Sequence, residues 1–460
     1  MVIENNPLIK FARVFKRKFT GMSVMKQLAL GFAAIVLTGG ILLLLPISSR
    51  SGVVTPFIDA VFTATTATCV TGLTVVDTYL YWSLFGQLVI LVLIQIGGVG
   101  FITLVISAIT LTKKKIGLRQ RLAMREVAGA NQVGGIVKVT RFIIFGTFII
   151  ESAGALLLST FFVPKLGLLK GIYFSIFHSV SAFCNAGIDL MSYFKQGSSL
   201  ITVNDNIIFN VTIMALIVIG GLGFLVWSDV VHCKCHFKKF RLHTKIVLST
   251  TLILILGGAL VIFIFENNGE AFRGMNLKDS IMASFFQSVT TRTAGFYSVD
   301  LPSLREPTIL VMVVLMLVGG SPASTAGGIK TTSVAVLFLS IFLVFRNRES
   351  VECYKRRIAK SALTHACCIL MLFLVVVFAA TISISYIENL PILAVLYETS
   401  SAMATVGLSL GITPHLSVAS KIILILLMYV GRVGALTMLL FFSKNSTISS
   451  KYPEEKITIG

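Results

Sequence analysis

The sequence predicts an all-α polytopic membrane protein made of four span, re-entrant loop, span repeats, with eight transmembrane helices in total. The first observation is composition: the 460 residues have a mean hydropathy of +0.92, 55% are hydrophobic and only 13% are charged. The second is a series of charge-free runs of membrane-spanning length. The third is a glycine motif that recurs four times. A soluble globular chain has neither this composition nor these runs.

Seven charge-free runs are long enough to cross the hydrocarbon, which needs about 20 helical residues. They cover residues 28–47, 78–112, 206–228, 246–265, 307–329, 361–387 and 422–443. An eighth, 142–164, is interrupted only by Glu151. The first run is too long for a signal-peptide core and no small-residue cleavage site follows it, so we expect a retained span.

The basic residues orient the chain across the membrane. With a cytoplasmic N-terminus, the inner segments hold 28 of the 39 lysines and arginines and the outer segments hold nine. Lys330 and Arg432 fall within spans. This bias predicts that both termini are cytoplasmic and that the net charge of +20 belongs to the inner surface. The charge is therefore no sign of nucleic-acid binding, although the same surface suits an acidic partner or anionic membrane lipid.

A short motif recurs four times along the chain, centred on a glycine. Its copies are TCVTGL (68–73), FCNAGI (183–188), TRTAGF (291–296) and MATVGL (403–408). An aromatic residue stands ten positions before each glycine: Phe62, Phe177, Phe285 and Tyr397. Agreement of four segments at near-constant spacing indicates an internal repeat.

A second glycine cluster follows each motif inside the next apolar run. The clusters are GGVG (97–100), GGLG (220–223), GG (319–320) and GRVG (431–434). The units are then a basic cytoplasmic N-terminus (1–26), repeat 1 (27–113), repeat 2 (114–235), repeat 3 (236–347), repeat 4 (348–443) and a cytoplasmic tail (444–460).

The segment before each motif glycine is too short to cross the membrane as a helix. Roughly eleven residues make about 16 Å of helix, which is half the hydrocarbon thickness. Non-helical backbone at that depth is tolerated only where it lines a cavity or is buried in protein, so the motif is a candidate pore or binding segment. A surface turn stays an alternative for any single copy.

Two spans per repeat return the chain to its starting side, so the repeats are parallel and can surround a pseudo-four-fold central pore. Glycine lets backbone carbonyls face that axis, where four sets would replace the hydration shell of a monovalent cation. The inward C-terminal ends of the half-helices also favour a cation. The sequence places four acidic residues at or near the mouth: Asp59, Asp189, Asp279 and Glu398.

With these motifs the chain resembles the Trk/Ktr/HKT potassium transporters, and the Ktr-type membrane subunits in particular, from about residue 27 to the C-terminus. The resemblance implies potassium uptake through four span-loop-span units in the bacterial cytoplasmic membrane. All four key positions are glycine, which favours potassium as the transported ion, with sodium as a second candidate. Only MATVGL carries the Thr-Val-Gly of potassium-channel filters. The implied selectivity filter consists of Thr68, Cys69, Val70, Thr71, Gly72, Cys184, Asn185, Ala186, Gly187, Arg292, Thr293, Ala294, Gly295, Ala404, Thr405, Val406 and Gly407.

The segment GGSPASTAGGIK (319–330) must interrupt a helix, because residues 308–345 as one helix would measure about 57 Å. By resemblance it forms an intramembrane gate loop below the filter, and Arg432 is an electrostatic barrier beside it. A glycine-rich packing kink is the alternative for the segment. The implied gate consists of Gly319, Gly320, Ser321, Pro322, Ala323, Ser324, Thr325, Ala326, Gly327, Gly328, Lys330 and Arg432.

The resemblance also implies partners: a homodimer of this subunit on a cytoplasmic ring of nucleotide-binding (ATP/ADP) regulatory subunits. We expect no cofactor and no structural zinc. The turn from His232 to His236 (HCKCH) lacks zinc-ligand spacing. Arg292 could pair with an acid to brace the filter, or tune ion entry; Cys69 and Cys184 suit packing. The seven cysteines predict no disulfide framework.

Two other functional classes stay open at the level of sequence. One is an alternating-access cation symporter that uses Glu151 or another membrane carboxylate for a proton or sodium ion. The other is a membrane receptor or scaffold with purely structural loops. An enzyme is not expected, because the chain has no nucleophile-base pair, phosphate loop or metal constellation.

Overall fold

The computed structural model describes residues 24–100, 136–345 and 351–434. Helices and the loops that join them make up the described chain, together with one two-stranded hairpin, β1 (Glu352–Cys353) and β2 (Arg356–Arg357). The α-helices are α1 (Val24–Leu44), α2 (Phe57–Cys69), α3 (Thr78–Tyr81), α4 (Leu84–Val99), α5 (Ile136–Leu166), α6 (Leu168–Phe183), α7 (Ile207–Leu222), α8 (Phe224–His232), α9 (Leu242–Glu266), α10 (Leu277–Thr290), α11 (Glu306–Leu317), α12 (Thr331–Phe345), α13 (Lys360–Glu388), α14 (Ile392–Ala404) and α15 (Val418–Val433). Short 3₁₀ turns cover Pro46–Ser48, Met191–Tyr193, Ile201–Val203, Phe237–Lys239, Glu270–Phe272, Leu301–Ser303 and Thr413–His415.

Each repeat follows the same order of elements. A long first helix (α1, α5, α9 or α13) leads into a half-helix (α2, α6, α10 or α14), and a second helix (α4, α7, α11 or α15) follows. The half-helices have 13 to 16 residues, about 20 to 24 Å, and so are shorter than the hydrocarbon thickness of about 30 Å.

By length and apolarity alone, three helices in the described ranges can each cross a membrane: 140–166 within α5, α9 and α13. Helices α7 and α8 would make a fourth span together, but they bend by 93° at Gly223. The predicted span 206–228 is therefore not one straight helix. The predicted run 78–112 is also divided, because α3 ends at Tyr81 and α4 begins at Leu84. Residues 101–112, like the expected cytoplasmic tails, lie outside the described ranges.

The break predicted within 308–345 is present. Helix α11 ends at Leu317 and α12 begins at Thr331, so residues 318–330 form a connection without α-helix. This connection starts where the second helices of the other repeats reach their own glycine cluster. Helices α4, α7 and α15 each end at a glycine of left-handed φ, namely Gly100 (89°), Gly223 (92°) and Gly434 (96°).

The half-helices form the centre of the buried core. Phe62, Phe177 and Tyr397 are fully buried, as expected for the aromatic residue ten positions before each glycine. In repeat 3 the fully buried aromatic residue is Phe286, whereas the predicted Phe285 is only half-buried. This half-helix is thus shifted by one residue along its axis relative to the other three.

Two outer helix ends are capped by the carboxylate that terminates the preceding long helix. Glu266, at the end of α9, accepts hydrogen bonds from Arg305 N (2.9 Å) and the Thr308 hydroxyl (2.5 Å) at the start of α11. Glu388, at the end of α13, accepts from Ser417 N (3.0 Å) and the Ser420 hydroxyl (2.5 Å) at the start of α15. A negative charge at a helix N-terminus is stabilising. These contacts therefore join the first helix to the second helix within repeat 3 and within repeat 4.

Candidate functional site

The half-helices end with the same backbone conformation two residues before the motif glycine. The residue there has a left-handed φ in every repeat, and each motif glycine also has a positive φ: 102°, 64°, 82° and 93° in chain order. The left-handed residues are Val70 (57°), Asn185 (60°), Thr293 (69°) and Thr405 (54°). Two left-handed residues so close together turn the chain sharply away from the helix axis.

Backbone hydrogen bonds stabilise this turn. In three repeats the N–H just before the glycine donates to a carbonyl five residues earlier, at 2.8 Å, as at the end of a Schellman motif. The pairs are Thr71 with Thr66, Ala186 with Ser181, and Val406 with Ser401. In repeat 3, Ala294 N instead donates to Thr290 O only four residues earlier, at 2.9 Å, which agrees with the one-residue shift of α10.

Hydroxyl groups of the half-helices also hold the motif backbone. Gly72 N donates to Thr66 Oγ1 (2.9 Å) and Gly407 N donates to Ser401 Oγ (3.0 Å). In repeat 2, Ser181 Oγ accepts from Ile188 N (3.1 Å), one residue later. In repeat 3, Thr290 Oγ1 donates to Phe296 O. These serines and threonines lie six residues, or in repeat 3 five, before the glycine, and the sequence motif alone did not single them out.

The four motif glycines form a closed ring of contacts. A Cβ atom added to any one of them would meet the carbonyl oxygen of the residue just before the glycine of the next repeat, at 2.6 Å in three cases. The pairs are Gly72 with Ala186, Gly187 with Ala294, Gly295 with Val406, and Gly407 with Thr71. The last of these contacts joins repeat 4 to repeat 1, so four glycines far apart in the sequence lie next to one another in space. Only glycine fits this approach of four backbones.

The predicted filter residues are buried around this ring. Arg292 is 7% exposed, and every other non-glycine residue of the predicted filter is at most 1% exposed. These residues are Thr68 to Thr71, Cys184 to Ala186, Arg292 to Ala294 and Ala404 to Val406. The Thr68, Thr71 and Thr405 hydroxyls are buried without a hydrogen-bond acceptor or donor within the described ranges. Unpartnered oxygens at this position are available to a desolvated cation.

An outer cavity of about 510 Å³ opens above the ring, and all four motif glycines line it. Three carboxylate residues also line this outer cavity: Asp77, Asp189 and Asp300. Of the four acidic residues predicted near the mouth, only Asp189 is among them. Asp59 forms an ion pair with Lys421 (2.9 Å), and the buried Glu398 carboxylate accepts a hydrogen bond from Thr413. Asp279, in the first turn of α10, does not line the cavity either.

Asp189 is the most perturbed acid of the outer loops. Its carboxylate accepts from Met191 N (2.9 Å) and from the Ser199 hydroxyl (2.8 Å). Burial raises the pKa of Asp189 from 3.8 to about 6; the two hydrogen bonds lower it and nearby Asp77 raises it further. The negative charge of the outer cavity therefore changes in a physiologically accessible pH range.

The second glycine cluster brings the second helix against the end of the half-helix. A Cβ at Gly97, Gly220 or Gly431 would clash with a half-helix carbonyl four residues before the motif glycine: Thr68 O, Phe183 O and Met403 O respectively. Gly319 departs from this pattern, because its neighbour is Gly327 O of the same connection. In repeat 3, Gly319 thus does not contact the end of the half-helix and instead packs against the loop that follows it.

That connection, residues 318–330, is folded back on itself and bound to repeat 2. Gly319 N donates to Ile329 O (3.0 Å) and Ile329 N donates to Leu317 O (3.2 Å), which closes the base of the loop. Ser321 N donates to Gly221 O (3.0 Å), and Phe224 N donates to Ala323 O (2.8 Å). The loop therefore satisfies backbone groups that the 93° bend of repeat 2 leaves open.

The loop lies directly beneath the ring and touches it from two sides. The Thr325 hydroxyl donates to Phe183 O (3.2 Å), at the end of the repeat 2 half-helix. On the opposite side, a Cβ at Gly327 would clash with the Thr405 hydroxyl and would lie 3.1 Å from Ala404 O. Ser321 and Thr325 are fully buried. The loop thus contacts the ends of the half-helices of repeats 2 and 4, just before their motif glycines.

Arg432 holds the loop in place. Its guanidinium donates to Thr325 O of the loop and to Gly97 O of repeat 1, with a longer contact to Gly98 O (3.4 Å). One side chain of repeat 4 therefore joins repeats 1 and 3. Lys330 has a different partner: its ammonium donates to Ala326 O (2.8 Å) and Gly327 O (3.4 Å) within the loop itself.

Glu151 lies behind the repeat 2 motif, on α5. Its carboxylate accepts from Gln95 Nε2 (3.2 Å) of repeat 1 and from the Cys184 thiol (3.9 Å). Glu151 is therefore part of the contact between two repeats and does not line the outer cavity.

The remaining sequence candidates occupy structural positions. Arg292 has no acidic partner in the described ranges, so the expected brace to a carboxylate is absent there. The turn at 232–236 is closed by hydrogen bonds such as His236 Nδ1 with Lys234 O (2.9 Å). Among the described residues, no group of three potential metal ligands is found. All seven cysteines are free thiols.

The family assignment rests on comparison with known proteins. The model of the TrkH family, described as a cation transport protein, matches residues 22–452. The chain belongs to the TrkH family. Its TrkH-family relatives include the potassium/sodium uptake protein NtpJ of Enterococcus hirae, 39% identical over 97% of this chain and 99% of that protein. The Ktr system potassium uptake protein B of Bacillus subtilis is 38% identical over the full length of both chains.

The fold of the TrkH family is confirmed by a solved structure. The potassium transporter TrkH from Vibrio parahaemolyticus has a TM-score of 0.73 to this chain, covering 92% of it and 85% of that chain, at 16% identity. The predicted family, the helical membrane fold and the absence of an enzymatic role are therefore correct. The chain is a multi-pass membrane transporter of cations.

Proposed function

We propose that this TrkH-family protein takes up potassium through a channel-like pore, with the ring of four motif glycines as its selectivity filter. The closed ring of contacts beneath a wide outer cavity carries this proposal. Carbonyl oxygens supplied by four equivalent segments can replace the water around a monovalent cation without a net change in charge. Asp77, Asp189 and Asp300 in the outer cavity raise the local cation concentration.

The eight-span, pseudo-four-fold architecture is part of the proposal. Four equivalent half-helices end at the ring, so their C-terminal dipoles add to the attraction for a cation. The relatives named as potassium and potassium/sodium uptake proteins support potassium as the substrate and sodium as a co-substrate or competitor.

The connection 318–330 is the gate in this proposal. It fills the space beneath the ring, and its only charge-assisted hydrogen bond from another repeat, within the described ranges, comes from Arg432. Opening requires that the loop leave Thr405 and Phe183, and that the Arg432 contact with Thr325 break. A positive guanidinium under the filter also opposes cation exit while the loop is closed.

A cytoplasmic regulatory subunit would supply the opening signal. The name of the Bacillus subtilis relative refers to a Ktr system, which supports a membrane subunit that works with a partner. We propose a homodimer on a nucleotide-binding ring, with cytoplasmic termini and a bacterial plasma-membrane location. The basic inner surface is the docking face for this ring.

Flux into proteoliposomes tests the proposal. The purified protein should move potassium down its own gradient with no sodium or proton gradient present. Strict dependence on a co-ion gradient would instead establish the alternating-access symporter, and no flux at all would favour a receptor or scaffold.

Deletion of residues 322–328 tests the gate and should raise the potassium flux. Unchanged flux in a mutant with normal size-exclusion behaviour would contradict the gate.

A further inference from the structure

Arg292 is the only charged residue among the residues that line the ring. It lies three positions before Gly295, and its backbone N–H donates to Val289 O (3.1 Å) at the end of α10. The equivalent positions of the other repeats are occupied by Cys69, Cys184 and Ala404, all uncharged. Of these four equivalent positions, only that of repeat 3 carries a charge.

The side chain of Arg292 is buried in apolar surroundings. It is 7% exposed and points towards α7 and α9. Its one side-chain hydrogen bond is long, from Nη1 to Thr251 O at 3.5 Å, and Nε has no acceptor. A cavity of about 10 Å³ beside it is lined by Ile217, Val218, Gly221 and Val289, and this volume suits a single water molecule.

No carboxylate neutralises this charge within the described ranges. The ion pairs of Arg241 with Asp229 and of Lys421 with Asp59 do not involve Arg292. The acidic residues on the neighbouring helices are far along the helix axis: Glu266 is about 22 Å from Thr251 on α9, and Asp279 is about 16 Å from Thr290 at the end of α10. Charges in such surroundings are poorly screened, so the field of Arg292 reaches the ring.

We propose that Arg292 sets the cation affinity of the filter, because its uncompensated positive charge repels an ion bound at the ring. This inference rests on the proposed function of the ring as a filter. Conduction requires binding that is weak enough for release, and a repulsive charge behind the filter accelerates release at the expense of affinity. The equivalent residues of the other three repeats are neutral, so among these four positions only Arg292 lowers the cation affinity of the filter in this way.

Potassium uptake by proteoliposomes at varied potassium concentration measures the effect. Arg292→Gln and Arg292→Met should both lower the half-saturating potassium concentration by about tenfold and reduce the maximal rate. Arg292→Lys keeps the charge and should behave like the unaltered protein. Cys367→Ser, at an exposed position on α13 away from the ring, is the neutral control and should change neither value. An electrostatic role predicts this grouping by charge, whereas a packing role predicts that Lys and Gln fail alike.

A second variant tests the charge without touching the arginine. Val218→Glu places a carboxylate in the wall of the cavity beside Arg292 and should also tighten potassium binding. Equal half-saturation in the unaltered protein, Arg292→Gln and Val218→Glu would overturn the inference while leaving the filter proposal intact. An unaltered protein that neither binds nor transports potassium would overturn both.

Discussion

Substitution of Gly72 by serine tests the ring most directly. Gly72 has a φ of 102°, which side chains rarely adopt, and a Cβ there would lie 2.6 Å from Ala186 O and 3.2 Å from the Cα of Gly407. The added atom therefore pushes against two neighbouring repeats at once. Because Ala186 O belongs to the ring, the collision displaces a carbonyl that we assign to the filter.

The size of the effect follows from the required displacement. A carbon and a carbonyl oxygen need about 3.3 Å, so the carbonyl must retreat by about 0.7 Å. A charge-dipole energy falls with the square of the distance, so a cation about 2.8 Å from that oxygen loses about a third of its interaction with it. We expect the potassium-to-sodium flux ratio to fall by about tenfold, which corresponds to about 1.4 kcal/mol.

Gly411 supplies a matched control. It also lines the outer cavity and has a φ of 88°, but a Cβ there has nothing within 4 Å. Gly411→Ser thus carries the same kind of backbone strain without the collision. Ion-flux ratios are measured in proteoliposomes under opposed potassium and sodium gradients. A Gly72→Ser protein with the selectivity of the unaltered chain, or a Gly411→Ser protein with an equal loss, would refute the filter assignment.

Three further changes test other parts of the structure. Because the pKa of Asp189 is raised to about 6, lowering the external pH from 7 to 5 neutralises its charge and should raise the half-saturating potassium concentration for uptake. Asp189→Asn should remove that pH dependence. If the mutant keeps the dependence, another group is responsible for it. The same shift makes the folded protein bind the proton more tightly than the unfolded chain, so the contribution of Asp189 to stability falls as pH rises between about 4 and 6. Arg432→Gln removes the donors to the loop and should raise potassium flux severalfold in proteoliposomes, and equal or lower flux would contradict a closing role. Glu266→Gln weakens the cap of α11 and should lower the free energy of unfolding by about 1 kcal/mol, as measured by thermal unfolding of the purified protein. Glu270→Gln, at an exposed position, should leave that free energy almost unchanged. Equal losses in the two mutants would contradict the role of Glu266 as a cap.

Much of the architecture was predictable because the signals are local. Three signals can each be read from a stretch of a single sequence: the apolar runs, the polar interruption at fixed spacing and the bias of basic residues. The broken helix within 308–345 was predictable for the same reason, since its length exceeds the membrane thickness. The hydroxyl residues that anchor the motif backbone, such as Thr66 and Ser401, carry a weaker signal because serine and threonine are common in such helices.

The outer cavity shows where sequence reasoning was wrong. Asp59, Asp279 and Glu398 lie on half-helices before a motif, and none of them lines the cavity; Asp59 instead forms an ion pair with Lys421, and Glu398 accepts a hydrogen bond from Thr413. Asp77 and Asp300 each follow their motif glycine by five residues, and they line the cavity because the loops after the motif fold over the ring. The carboxylates that precede a motif lie on a half-helix, whereas those that follow it lie on the outer loops, so the side of the motif decides which of them face the cavity.

The sequence by itself determined the four-fold repetition, the glycines at its centre and the interruption of the third repeat, because these are properties of spacing and composition. Only the tertiary structure decided the order in which the glycines meet, the one-residue shift of α10 and the position of the loop between Phe183 and Thr405. The contacts of the ring join residues more than a hundred positions apart. Their geometry depends on which backbones can approach closely, and that is settled when all four repeats pack together.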